Sequence, residues 1–208
     1  MIKKGFTLAE VLITLTIIGV VAALTLPSLT TSVSKNQIGP KLAKAINTLE
    51  NANKMALQQY EARDLESLAK QLNETDPQYT RILEHQVAGS LDSSNSKVFR
   101  CKDGIKYTMQ DNGKISEPIK GKGELTNKYN YRRYALIIDI NGDQKPNYGG
   151  QDQFRVLVDT SGAVIPSGGN EYAKYRNDSK QTCTTKTTQS GANCTGNIVD
   201  NGWKVIYK

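Results

Sequence analysis

Residues 6–26 form an apolar run that contains a single charged side chain, Glu10. The run has 21 residues, and a helix of that length spans about 31 Å. The hydrocarbon core of a bilayer is about 30 Å thick. The run therefore predicts a transmembrane helix over residues 6–27, with Lys3 and Lys4 held on the cytoplasmic side.

Glu10 needs an explanation that a plain membrane anchor does not provide. An ionised carboxylate near the bilayer centre costs about 2.5–3.5 kcal/mol on insertion scales. A cleaved secretory signal does not fit either, because its apolar region has only about 7–15 residues. The acid therefore requires a positively charged partner.

The stretch KKGFTLAEVLITLTIIGVVAALTLP resembles the start of type IV prepilins and type II secretion pseudopilins. The matching features are a short basic leader that ends at Gly5, then Phe6, then the carboxylate of Glu10. Gly19 and Pro27 also stand where this family commonly carries glycine and proline. The resemblance implies that a prepilin peptidase removes residues 1–5 and that Phe6 is N-methylated.

Cleavage after Gly5 would give Glu10 its partner. Cleavage frees a cationic amine at Phe6, one helical turn from Glu10. This amine could pair with Glu10 of the same subunit or with Glu10 of a neighbouring copy. A buried ion pair adds little net stability, but loss of one partner is severe, so the pair would set the register of assembly. Pro27 is expected to kink or locally melt the helix, with Gly19 as a second soft point.

Residues 28–75 predict an amphipathic stem helix. Apolar residues recur near the i, i+3, i+4 spacing of a buried helix face: Leu42, Ile46, Leu49, Ala56, Leu57 and Tyr60. A break is predicted near Gly39-Pro40, because the residue before proline prefers an extended backbone. Residues 65–72 either continue this helix or form a second one.

Residues 76–208 predict a β-rich head. Strand-like runs cover residues 98–101, 105–110, 134–140, 154–159, 163–165 and 203–207. Residues 88–97 are rich in serine and predict a loop, and Asn201-Gly202 predicts a tight hairpin. The fold class is therefore α+β, a long N-terminal helix packed on a C-terminal antiparallel sheet. The resemblance to pilins implies the same fold.

The stretch IIDINGDQKPNYGGQDQF concentrates oxygen donors in a glycine-containing loop. The donors are Asp139, Asn141, Asp143, Asn147 and Asp152. Such a set suits Ca²⁺, which takes 6–8 oxygen ligands. The alternative is a turn in which Asn and Asp side chains bond their own backbone. The stretch also resembles a DxNGxxxPNxxGxDxF element of bacterial pilin-like proteins, and some pseudopilin heads bind calcium.

Three cysteines lie outside the apolar run: Cys101, Cys183 and Cys194. Export places them in an oxidising compartment, where a disulfide is expected and three pairings are open. A bond between Cys183 and Cys194 would close a polar loop and contribute about 3 kcal/mol. Pilin-like proteins often close a C-terminal loop in this way, and we favour this pairing.

Catalysis is not predicted. The sequence contains no P-loop, no GxSxG motif and no metal-hydrolase motif, and its one histidine, His85, reads as a surface residue at a helix end. The net charge of +7 favours a solvated basic surface over a nucleic-acid interface. Residues 128–134 interleave tyrosines with basic residues and could contact a nucleic-acid strand, but strand-edge aromatics explain them more simply.

The sequence thus predicts a structural subunit of a type IV pilus or a type II secretion-like filament. Its expected partners are copies of itself, related pilins, the prepilin peptidase, the inner-membrane assembly machinery and, before assembly, membrane lipid. The chain would cross the inner membrane once with its head outside the cytoplasm, then enter an extracellular pilus or a periplasmic pseudopilus. The alternative is a membrane-tethered binding module that never polymerises, such as a DNA-uptake receptor.

Overall fold

A computed structural model describes residues 7–72, 79–110, 133–176, 183 and 194–206, with the side chains of residues 24–34, 133 and 174–176 left aside. The chain divides into two units, residues 1–37 and residues 38–208. The element order is α+β, as the sequence predicts, with helices first and an antiparallel sheet after them.

Helix α1 runs from Leu8 to Gln59. Its described residues in the first unit are mostly exposed, whereas the part in the second unit buries one face. The buried side chains follow the predicted helical spacing: Ile38, Leu42, Ala45, Ile46, Leu49, Ala52 and Ala56. Among the described residues, no helix has both the length and the hydropathy of a membrane span.

The break predicted near Gly39-Pro40 is wrong, because α1 passes through both residues. Gly39 has no Cβ, which removes part of the clash between a proline ring and the residue before it. The space is also needed, since a Cβ on Gly39 would lie 1.8 Å from the carbonyl oxygen of Trp203. Local melting at Pro27 is likewise not observed, because α1 is helical through that position.

The predicted stem, residues 28–75, is not one element. Helix α1 ends at Gln59, and Glu61 adopts a positive φ of 48° that turns the chain. Helix α2, Leu65–Gln71, begins where the Asp64 carboxylate accepts a hydrogen bond from the Ser67 amide at 2.7 Å. Helix α3, Tyr79–Gln86, follows. Residues 65–72 therefore form a second helix.

Among the residues that the structure describes, six antiparallel strands form one sheet in sequential order. The strands are β1 Gly89–Asp92, β2 Asn95–Cys101, β3 Lys106–Met109, β4 Arg133–Asp139, β5 Gln153–Asp159 and β6 Val164–Pro166. The last five are confirmed predictions. Strand β1 was predicted as loop, because its flanking Ser, Asn and Asp residues are typical of turns.

The core lies between one face of the sheet and helices α1, α2 and α3, and it also includes Cys194 and Ile198. Two buried hydrogen bonds join α1 to the sheet and its β5–β6 turn, and a third joins α1 to α3. The Tyr107 hydroxyl donates to the Ala45 carbonyl at 3.0 Å, and the Asn53 side chain donates to the Gly162 carbonyl at 2.8 Å. The Tyr79 hydroxyl donates to Asn53 at 2.5 Å. A smaller apolar cluster on the other face contains Ala135, Leu157, Ile165 and Tyr172.

Helices α4, Asn170–Arg176, and α5, Cys194–Asp200, complete the head. The predicted hairpin at Asn201-Gly202 is wrong, because this turn ends a helix. The Gly202 amide donates to Val199 and the Trp203 amide donates to Ile198, with Gly202 at a φ of 65°. This is the Schellman arrangement, in which glycine favours the helix end. Residues 203–206 are not a strand.

Candidate functional site

The start of α1 holds Glu10 by a reciprocal set of hydrogen bonds with Thr7. The Thr7 amide and hydroxyl both donate to Glu10 Oε2 at 2.8 Å. The Glu10 amide donates in return to the Thr7 hydroxyl at 3.4 Å. This is a capping box, which satisfies backbone donors that the first turn of a helix leaves without partners. Glu10 therefore has a partner within its own chain.

Thr7 is a residue of this site that the sequence analysis missed. Its signal was present, because threonine followed by glutamate three residues later is typical of a helix start. Both Thr7 donors contact Oε2, and the described residues offer no hydrogen bond to Oε1. One carboxylate oxygen thus fixes the side chain, and the other points to no donor within this part of the chain.

The remaining predicted assembly residues are only partly described. Gly5 and Phe6 lie outside the described residues, so the predicted ion pair between the Phe6 amine and Glu10 stays a prediction. At Gly19, an added Cβ would meet no atom within 4 Å. Pro27 lies within α1, but its side chain is outside the described set.

The first unit exposes a series of large apolar side chains. They are Leu8, Val11, Leu12, Ile13, Leu15, Ile17, Ile18, Val20 and Val21, from 44% to 82% exposed. Among the described residues of the second unit, the exposed large apolar side chains are Met55, Tyr148 and Ile206. Within the described part of the chain, apolar exposure is therefore concentrated at the N-terminal end of α1.

The oxygen-rich stretch lies at the β4–β5 connection, beside a polar row that crosses four strands. The strand register places Arg100 opposite Lys106, Lys106 opposite Asp139, and Asp139 opposite Gln153. The Lys106 ammonium lies 3.3 Å from Asp139 and 2.9 Å from Asp143. An ammonium group thus contacts two of the five predicted calcium ligands.

The carboxylates of this row differ in environment. Asp139 is 1% exposed, and burial raises its pKa above the ordinary value, although Lys106 opposes that change. Asp143 is exposed, and hydrogen bonding from Lys106 lowers its pKa. Arg100 also binds Asp143, at 2.8 Å, and binds Asp92 at the same distance.

Asp152 organises the loop from within. Its carboxylate accepts hydrogen bonds from the backbone amides of Asn147 and Tyr148, both at 2.7 Å. The Asn141 side chain donates to it at 3.3 Å. This arrangement matches the predicted alternative, a turn in which acidic side chains bond the backbone.

Three of the five predicted calcium ligands are engaged by protein groups in this arrangement. Asp139 and Asp143 contact Lys106, and Asp152 is engaged by backbone amides. The described residues contain no group of three acidic, histidine or cysteine side chains placed to hold a metal. One atom favours a cation, because Asn141 Oδ1 is buried and accepts no hydrogen bond from the described residues. Calcium binding stays a prediction.

Cys183 and Cys194 are joined by a disulfide, the pairing that the sequence analysis favours. Cys194 is fully buried at the start of α5. Cys101 is the free cysteine, and partial burial raises the pKa of its thiol to about 12. This thiol is therefore protonated near neutral pH and is a weak nucleophile.

The aromatic and basic stretch is described only from residue 133 onward. Tyr134 is buried in the core and its ring centroid lies 5.1 Å from that of Tyr79, so it cannot stack on a nucleic acid. His85 is exposed in the last turn of α3, as predicted.

Comparison with known proteins gives one match. Residues 1–26 match the family model of the prokaryotic N-terminal methylation motif. No curated protein and no solved structure matches the chain. The matched segment contains Gly5, Phe6 and Glu10 and ends one residue before Pro27. The N-terminal segment of this chain carries the signature of type IV pilins and pseudopilins.

Proposed function

We propose that this chain is a structural, non-catalytic subunit of a type IV pilus or of a type II secretion-like filament. The observation that carries the proposal is the methylation motif over residues 1–26. Prepilin peptidase cleaves after Gly5, and residues 6–26 anchor the mature chain in the inner membrane until assembly. Copies of the chain and related pilins are its partners in the filament.

The arrangement of α1 supports assembly through its N-terminal end. Large apolar side chains are exposed there, and burial of apolar surface is the main favourable term in association. The head, in contrast, encloses a core of its own. In the filament, neighbouring copies would cover this apolar end of α1.

Glu10 gives this association its register. Thr7 holds Oε2, which leaves Oε1 for the amine of Phe6 in the same chain or in an adjacent copy. A carboxylate buried without a cation is strongly unfavourable. Misaligned packing is therefore disfavoured, and only the offset that pairs amine and carboxylate is retained.

Replacement of the carboxylate tests this function. Glu10→Ala should remove the chain from sheared surface filaments, or from the pseudopilus fraction, because the register pair is lost. Glu50→Ala removes a carboxylate from the same helix, within the head, and is the matched control. The measurement is the amount of the chain in the filament fraction relative to total cell content.

Membrane extracts should contain both variants at the wild-type level. A non-polymerising tether, such as a DNA-uptake receptor, would be indifferent to the change. Glu10→Ala chains found in filaments as often as Glu50→Ala chains would therefore rule out assembly through Glu10.

A further inference from the structure

The ammonium group of Lys106 lies between two carboxylates of the β4–β5 connection. It contacts Asp139, at the end of β4, and Asp143, in the loop that follows. The Lys106 side chain is only 15% exposed, and that of Asp139 is 1% exposed. A single positive charge thus joins the strand end to the loop.

The backbone places this loop against the β2–β3 turn. Gly142 has a φ of 71°, and a Cβ there would lie 2.8 Å from the carbonyl oxygen of Gly104 in the β2–β3 turn. This close approach brings Asp143 within reach of Lys106 and of Arg100. Glycine at position 142 is required both by the dihedral angle and by the lack of space.

Each carboxylate around Lys106 already has a partner within the protein. Asp139 and Asp143 contact the Lys106 ammonium, and Asp143 also contacts the Arg100 guanidinium. The Asp152 carboxylate accepts hydrogen bonds from two backbone amides. A divalent cation bound to Asp139 and Asp143 would have to displace the Lys106 ammonium. If the ammonium stayed in place beside the divalent cation, the two positive charges would repel each other strongly, because they would be close together and partly shielded from water.

We propose that the Lys106 ammonium is the structural cation of the Asp139–Asp152 loop, so that this loop is held in its folded form without calcium. The inference is independent of filament assembly, because it concerns only contacts within the head. It also explains why a loop rich in oxygen donors brings no three acidic groups together among the described residues.

Thermal unfolding of the full-length mature chain in detergent tests the proposal. A ligand that binds only the folded state must raise the unfolding midpoint. Because the proposal requires no calcium, the wild-type midpoint should be the same, within about 1 °C, in millimolar CaCl₂ and in EDTA. Lys106→Met leaves two carboxylates without their ammonium, and its midpoint in EDTA should fall by about 5–10 °C. CaCl₂ should recover part of that loss, because the place of the ammonium is then open to a cation.

Lys102→Met is the matched control, since it removes an exposed lysine from the neighbouring turn. Its midpoint should equal that of the wild type in both solutions. Lys106→Arg keeps a cation and should remain insensitive to calcium. If Lys106→Met does not fold, the wild-type and Lys106→Arg chains still decide the question. A wild-type midpoint raised by calcium, or equal midpoints for the Met variants at positions 106 and 102, would overturn the proposal.

Discussion

At the scale of single residues, two local contacts are decisive for α1. One forms the start of the helix, and the other joins the helix to the backbone of Trp203. Thr7 and Glu10 hydrogen-bond each other across the first turn, so the one acid of the apolar run is also part of a helix cap. Further along, Gly39 lets the backbone of Trp203 lie directly against the helix. The first contact was readable from the spacing of two residues. The second was not, because it joins positions far apart in the chain.

Gly39→Ala should destabilise the head. Alanine favours a helix by about 1 kcal/mol over glycine, but its Cβ would clash with the backbone of Trp203, and overpacking of this kind costs about 1–3 kcal/mol. Because the backbone must move, we expect a cost of about 2–3 kcal/mol, in the upper part of that range, and therefore a net loss of about 1–2 kcal/mol. Urea unfolding followed by the fluorescence of Trp203, the one tryptophan of the chain, measures it. Asn47→Ala, at an exposed position of α1, is the control, and equal stability of the two variants would refute this contact.

At the scale of elements, the hairpin of β1 and β2 is held by charge. Asp92 accepts hydrogen bonds from the Ser94 hydroxyl at 2.6 Å and from the Ser94 amide at 2.9 Å, and it pairs with Arg100. These contacts, the Ser94 hydroxyl foremost, lower the pKa of Asp92 to about 2. Asp and Ser residues led the sequence analysis to predict a loop over residues 88–97. In the structure, hydrogen bonds between these side chains and the backbone organise the turn between β1 and β2.

Asp92 should make stability depend on acid pH. Its pKa in the folded chain lies below the value of 3.8 for a free side chain, so it stabilises the fold above a pH of about 4 and loses this effect between about 4 and about 2. Asp92→Asn should therefore be less stable than the wild type at neutral pH, and the difference should vanish near pH 2. Thermal midpoints over this pH range measure it. A difference that stays constant with pH would show that Asp92 acts through packing alone.

At the scale of the whole molecule, the α+β class, five of six strands and the buried face of α1 follow from hydrophobic periodicity. Periodicity failed at α5, where Ile198 and Val199 followed by Asn-Gly are equally typical of a strand and hairpin. The contact between Lys106 and Asp139 could not be predicted, because it depends on the β3–β4 register across a long segment. Local sequence patterns thus predict helices and strands, whereas the row of charged residues forms only when the strands pair in the folded sheet.

The proposed function requires a working chain that begins at Phe6, with a free amine that pairs with the Glu10 carboxylate. Intact-mass analysis and N-terminal sequencing of the protein recovered from membranes and filaments test this requirement. We expect a chain that starts at Phe6, carries one added methyl group on its amine and lacks residues 1–5. Recovery of the functional protein with Met1 to Gly5 still attached would rule out the pairing of the Phe6 amine with Glu10.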